Sequence, residues 1–231
     1  MKRVSIILAS LLLLASCTVT EKLSVNRNSS GTSSSDIKVE QFFVDVLEDF
    51  SEFLPESNES IMDSAMSGFA GQLQRSKSAS DVAFSKTGEN HYSLAFSYSS
   101  IEALIKELGG TEQTLFRETS NSLSFYVDIN NFEELTKIVP FLADPNFEVY
   151  GPLFNQNTTE EDYLDMIYFL LGEEGPDAIS NGMVSIDITV PGTIASVSGA
   201  RRVNQNTARF SFPIIDFLLL NKPLTFTVNW K

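Results

Sequence analysis

The chain has one cysteine, one histidine and one tryptophan among 231 residues. With Cys17 alone, no disulfide can form within the chain, and cysteine metal clusters or a cysteine nucleophile are excluded from everything downstream. His91 is the only side chain whose unperturbed charge changes near neutral pH. No internal apolar run is long enough to cross a bilayer. Bases are scarce, with 16 Lys and Arg against 30 Asp and Glu and a formal charge of −14. A surface this acidic repels nucleic acid and anionic headgroups, which argues against both as direct partners, and it reads first as a solvated coat. The motifs G-x-S-x-G and H-E-x-x-H, the P-loop, the dinucleotide fingerprint and the EF-hand spacing are all missing. The expectation is a protein that is not an enzyme and takes no cofactor or metal.

What is present starts at the N-terminus. Met1-Lys2-Arg3 is a short positive segment, and Val4 to Ala15 is an apolar run suited to a secretory signal. Leu14-Ala15-Ser16-Cys17 follows. This resembles the lipobox of bacterial lipoproteins, in which a branched apolar residue and two small residues precede the cysteine. The resemblance implies diacylglyceryl modification of Cys17, cleavage between Ser16 and Cys17 by lipoprotein-processing enzymes, and a membrane partner reached through the acyl chains. A thiolate is the nucleophile such a transfer needs. Two acyl chains give stable anchoring where one is marginal, each buried methylene contributing about 0.8 kcal/mol. Thr18 lacks the acid that serves some Gram-negative bacteria as an inner-membrane retention cue. Removing residues 1–16 takes Lys2 and Arg3 away, so the mature charge is −16.

The full sequence is 42% hydrophobic with 18 Phe, and the mature chain is long enough to bury a full core. The expected organisation is a tether over 17–22 and one domain over 23–231, with a weak sub-boundary near 144–182. Leu23 and Val25, then Ile37 and Val39, alternate as in a hairpin with the Ser/Gly run at its tip. A flexible tether through Asp36 is the other reading of that stretch. Phe42, Phe43, Val46, Leu47, Phe50, Phe53 and Leu54 make one helical stripe over 40–54, opposite a face of acids, which favours core packing over membrane contact. A second helix is expected over 60–73.

Tyr92, Leu94, Phe96 and Tyr98 predict a half-buried strand, and Ser100 predicts the cap of the next helix. Residues 113–118 and 122–129 predict paired strands, and Asn131 with Glu134 a capped helix. Thr159 with Asp162 predicts another helix, closed by Glu173-Glu174-Gly175-Pro176-Asp177. Strands are expected over 183–190, 193–198 and 207–212, a short helix over 214–220, and a last strand over 224–230. This order predicts an α+β fold, a mainly antiparallel sheet with helices packed on one face.

Val190-Pro191-Gly192, Gly199, Asn206 and Val228-Asn229-Trp230 are similar in arrangement to LppM-like envelope lipoproteins. That resemblance implies an α+β extracytoplasmic domain with lipid or envelope binding, and it supplies no catalytic motif. His91, Glu160-Glu161-Asp162, Glu173-Glu174 and Arg201-Arg202 are candidate sites whose settings read respectively as a turn residue, a helix N-terminus, a loop and a solvated hairpin tip. The leading expectation is an anchored, non-enzymatic envelope protein, periplasmic or surface-exposed, that binds a partner or an apolar or lipid ligand. A carboxylate-dependent hydrolase is the alternative, and a surface adhesin or structural lipoprotein a third.

Overall fold

In a computed structural model of the chain, residues 18–41, 44, 60–109, 114–139, 142 and 148–231 are described. The segment expected to be a signal, the lipobox-like residues with Cys17, and most of the Phe-rich helix expected over 40–54 lie outside them. The fold is α+β with two mostly antiparallel sheets, where the sequence suggested one. Strands β1 (Thr18–Val25), β2 (Gly31–Lys38), β3 (Ala79–Gly88), β4 (His91–Tyr98), β7 (Met183–Thr189), β9 (Arg201–Arg202) and β10 (Thr207–Pro213) form a seven-stranded sheet in the order β3-β4-β2-β1-β7-β10-β9. Strands β5 (Phe116–Thr119), β6 (Ser122–Val127), β8 (Ile194–Ser198) and β11 (Leu224–Trp230) form the second, in the order β5-β6-β11-β8. The described helices are α1 (Ile61–Arg75), α2 (Ile101–Glu107), α3 (Phe132–Ile138), α4 (Glu160–Leu171), α5 (Glu174–Asn181) and α6 (Ile214–Leu219).

The hairpin at the start is longer than its apolar alternation suggested. β1 begins at Thr18, so residues expected to tether the domain are paired strand, Thr18 opposite Lys38 and Val25 opposite Gly31. β1 also pairs in parallel with β7, Thr18 opposite Met183, which joins the first and last thirds of the chain in one sheet. Register then fixes the inner face in cross-strand rows, because side chains alternate with period two. One row runs Tyr92, Ile37, Val19, Val184, Phe212; the next runs Leu94, Ser35, Glu21, Ile186, Phe210.

The two sheets meet through aromatic rings. Phe210 of the large sheet lies 5.2 Å from Phe226 and 6.2 Å from Phe125 of the small one. Trp230 is buried in β11, which sits between β6 and β8, so the C-terminus is held in the sheet as the alternation of 224–230 predicts. A second, smaller cluster joins α4, α5 and α6 through Tyr163, Ile167, Ile179 and Ile215.

Two caps form as expected. Ser100 accepts from the Ala103 N–H at 3.0 Å, and Thr159 from the Asp162 N–H at 3.1 Å. Asn131 does not cap α3. Its Oδ1 accepts from the Asp128 N–H at 2.8 Å, its Nδ2 donates to Thr114 and Tyr126, and Glu134 accepts from the Thr114 N–H instead. The tight turn after β6 thus takes the side chain that the box pattern assigned to the helix.

Candidate functional site

Helix α1 is a strut fastened at both ends by carboxylates. Near its N-terminus, Asp63 accepts from the Tyr92 hydroxyl at 2.7 Å and from Lys86 Nζ at 2.8 Å, which fixes it to β3 and β4. Those two donors hold the Asp63 carboxyl below the ordinary aspartate range, Lys86 contributing most. Past the C-terminus, Glu107 of α2 accepts from the Ser76 hydroxyl and from the N–H groups of Lys77 and Ser78 at 2.9 and 3.1 Å.

Between these fastenings the helix does not close onto the sheet. A cavity of about 770 Å³ lies between α1 and the inner face of the seven-stranded sheet. Its sheet side is Val19, Ile37, Val39, Ser35 and Leu94. Met62, Met66 and Phe69 enter from the helix, and Ile179 and Ile214 close the side toward α5 and α6. Space persists because the helix is small-sided there: Ser64, Ala65 and Gly68 also line the cavity, and a Cβ on Gly68 would meet no atom within 4 Å. The volume lies within the range of small-molecule sites, roughly 300–1,000 Å³. Among the described lining residues the polar side chains are Ser35, Ser64, Gln72 and Arg75, and none is a carboxylate.

Glu21 lies beside this cavity, between Val19 and Leu23 on the same face of β1 and next to Ser35 across the strand pair. Its carboxylate accepts from the Ser33 hydroxyl at 2.5 Å and from the Ser35 hydroxyl. Ser35 therefore lies between Glu21 and the cavity that it lines. Burial raises the Glu21 carboxyl above the ordinary glutamate range, against the opposing pull of Ser33, Ser35 and the Ser34 backbone. The folded state thus holds the proton more tightly than the unfolded chain. The resulting stabilisation is complete below the ordinary glutamate value of 4.5 and is lost as pH rises through the raised one. Glu21→Gln is neutral throughout, so thermal melts at a series of pH values rising from 4.5 should show a shallower decline with rising pH than wild type. An unchanged slope would show that Glu21 is not the group responsible.

The sequence positions weighed as sites fall elsewhere, and the structure does not bring them together. His91, half-buried, opens β4 and meets Asp36 of β2 at 3.0 Å. Glu160, Glu161 and Asp162 occupy the exposed first turn of α4, with Asp162 engaged in the Thr159 cap. Glu173 and Glu174 stand at the start of α5, where a closing loop was expected. Arg201 and Arg202 form β9, an edge strand and not a hairpin tip, and Arg202 donates to the Ile194 carbonyl at 2.8 Å. Among the described residues no group of three or more His, Cys, Asp or Glu is placed to hold a metal, and no helix is long and apolar enough to cross a membrane.

No family model matches the chain, and no curated protein matches it. A solved structure does: the NMR structure of the folded domain of LppM from Mycobacterium tuberculosis. The two are 10% identical, with 93% of this chain and 89% of that one covered and a TM-score of 0.40. The likeness is weak.

Proposed function

We propose that this protein is an envelope lipoprotein, anchored through acylated Cys17 on the extracytoplasmic side, that binds an apolar ligand between α1 and the seven-stranded sheet and catalyses no reaction on it. The observation that carries the reading is the cavity itself. A space of about 770 Å³ lined mostly by apolar side chains loses contacts on every wall when empty, and an apolar guest restores them. The described lining offers no acid or imidazole for general acid or base work.

Anchor and cavity are close in the chain. Thr18 follows Cys17 directly and already belongs to β1, and Val19 lines the cavity. Acylation of Cys17 would therefore set the end of the sheet that carries Thr18, Lys38 and Met183 at the bilayer surface with almost no spacer.

Two measurements test the two halves of the proposal. Cells fed an alkyne fatty acid should label the wild-type chain, and Cys17→Ala should remove the label and release the protein from the membrane fraction. Equal labelling of both, or of neither, overturns the anchor. Nile red added to the purified protein should brighten and shift to the blue on saturable binding. A response no greater than that given by a folded control protein overturns the cavity's role.

A further inference from the structure

The cavity has one charged residue among its described lining residues, and that residue is unpaired. Arg75 lies in the last turn of α1, and Gln72 lines the cavity one turn earlier. Among the described residues Arg75 has no ion pair. Glu107, the acid that shares the adjoining surface hollow with it, is already occupied by Ser76, Lys77 and Ser78. A cation in a last turn is favoured by the helix dipole wherever it occurs. This one folds back over the helix: its Nη1 lies 3.4 Å from where a Cβ on Gly71 would stand. Arg75 is itself one of the residues that line the cavity.

Met62 marks the other end of α1, beside Ile37 and Val39. A helix of 15 residues at about 1.5 Å each spans roughly 20 Å, so an apolar trough of that order ends at a guanidinium and an amide. We infer that the ligand is a long-chain carboxylate, its alkyl chain lying along α1 and its head paired with Arg75 at the C-terminal end of the helix. This rests on the apolar-ligand reading above and adds the chemical class. One guanidinium fork matches the two oxygens of a carboxylate and neutralises a single charge. A dianionic phosphate would be left with excess charge beside Glu107, on a chain of formal charge −14.

The test uses the full chain stripped of co-purified lipid, with equilibrium dialysis of palmitate, hexadecanol and hexadecyl phosphate. Wild type should bind palmitate about tenfold more tightly than hexadecanol, the worth of one charge-assisted hydrogen bond at a partly solvated site. Arg75→Gln should remove that preference, lowering palmitate binding far more than hexadecanol binding. Arg75 is exposed, so the variant should fold as wild type, with an unchanged far-ultraviolet circular dichroism spectrum as the check. Equal binding of palmitate and hexadecanol by wild type, or a preference that survives Arg75→Gln, overturns the inference while the apolar cavity stands. Tighter binding of hexadecyl phosphate than of palmitate overturns the carboxylate assignment. Binding of none of the three defeats the apolar-ligand reading itself.

Discussion

Gly31→Ala should destabilise the protein by about 3 kcal/mol and lower its melting temperature by roughly 6–12 °C, the scale for a chain of this size. A Cβ at this position would stand 1.9 Å from the Ser24 carbonyl oxygen and 2.3 Å from the Tyr98 hydroxyl oxygen. Tyr98 lies across Gly31 to donate to that same carbonyl at 2.7 Å, so strand and ring occupy the space a methyl group needs. Relief requires β1 and β2 to part, and β1 is central, paired with β2 on one side and β7 on the other. Tyr98→Phe added to Gly31→Ala removes the hydroxyl clash but leaves the backbone one and the ring carbon 2.6 Å from the new Cβ, so it should recover only a minor part of the loss. Thermal denaturation of the two variants and the double variant checks this. A melting temperature within about 2 °C of wild type for Gly31→Ala would show that the hairpin closes differently.

Filling the cavity from the helix should separate stability from binding. In Ala65→Leu/Gly68→Leu, two leucines replace small residues that line the cavity on α1, and the Gly68 site has open space around its Cβ. Glycine inside a helix costs about 1 kcal/mol relative to good helix formers, so the variant should melt at or above the wild-type temperature. Its affinity for Nile red or hexadecanol should nevertheless fall by about tenfold or more, because the new side chains occupy the space and the contacts the guest would make. A stable variant that binds as wild type does would place the apolar probe elsewhere on the molecule. Loss of binding together with loss of the melting transition would signal disrupted packing, and Gly68→Leu alone then repeats the test with one side chain.

Much of the fold is legible in local pattern. Tyr92, Leu94, Phe96 and Tyr98 show the alternation that β4 has, and Leu224, Phe226, Val228 and Trp230 the alternation of β11. Ser100 and Thr159 cap the helices they precede. Other elements are hidden by residues that do two jobs. In β3 the alternation is broken by a bulge between Ser80 and Ala83, where Asp81 takes a positive φ of 53°. Helix α5 contains Gly175 and Pro176, which read as a stop. Yet Pro176 sits in the first turn, where no N–H is needed, and a Cβ on Gly175 would come 2.8 Å from Ile167 of α4. The glycine there serves close packing of two helices.

The division into two sheets depends on which strands find each other across long stretches of chain, and alternation alone does not carry that information. The candidate site was harder still to read, since a cavity is a lack of bulk. Its signal was the small face of α1, Ser64, Ala65 and Gly68, on a helix recognised by its large residues. Glu21 was readable in principle: Val19, Glu21, Leu23 and Val25 share one face of β1, and an acid amid three apolar residues asks for partners. Ser33 and Ser35, inside a run that looked like a hairpin tip, supply them.

Native mass spectrometry of the protein released from its own membranes tests the apolar-ligand reading most directly. Gentle ionisation should show the chain carrying one small guest, lost on denaturation and recovered by solvent extraction as an alkyl-chain compound. Protein that is reproducibly guest-free in such preparations, and that takes up no alkyl-chain compound when offered one, would contradict it.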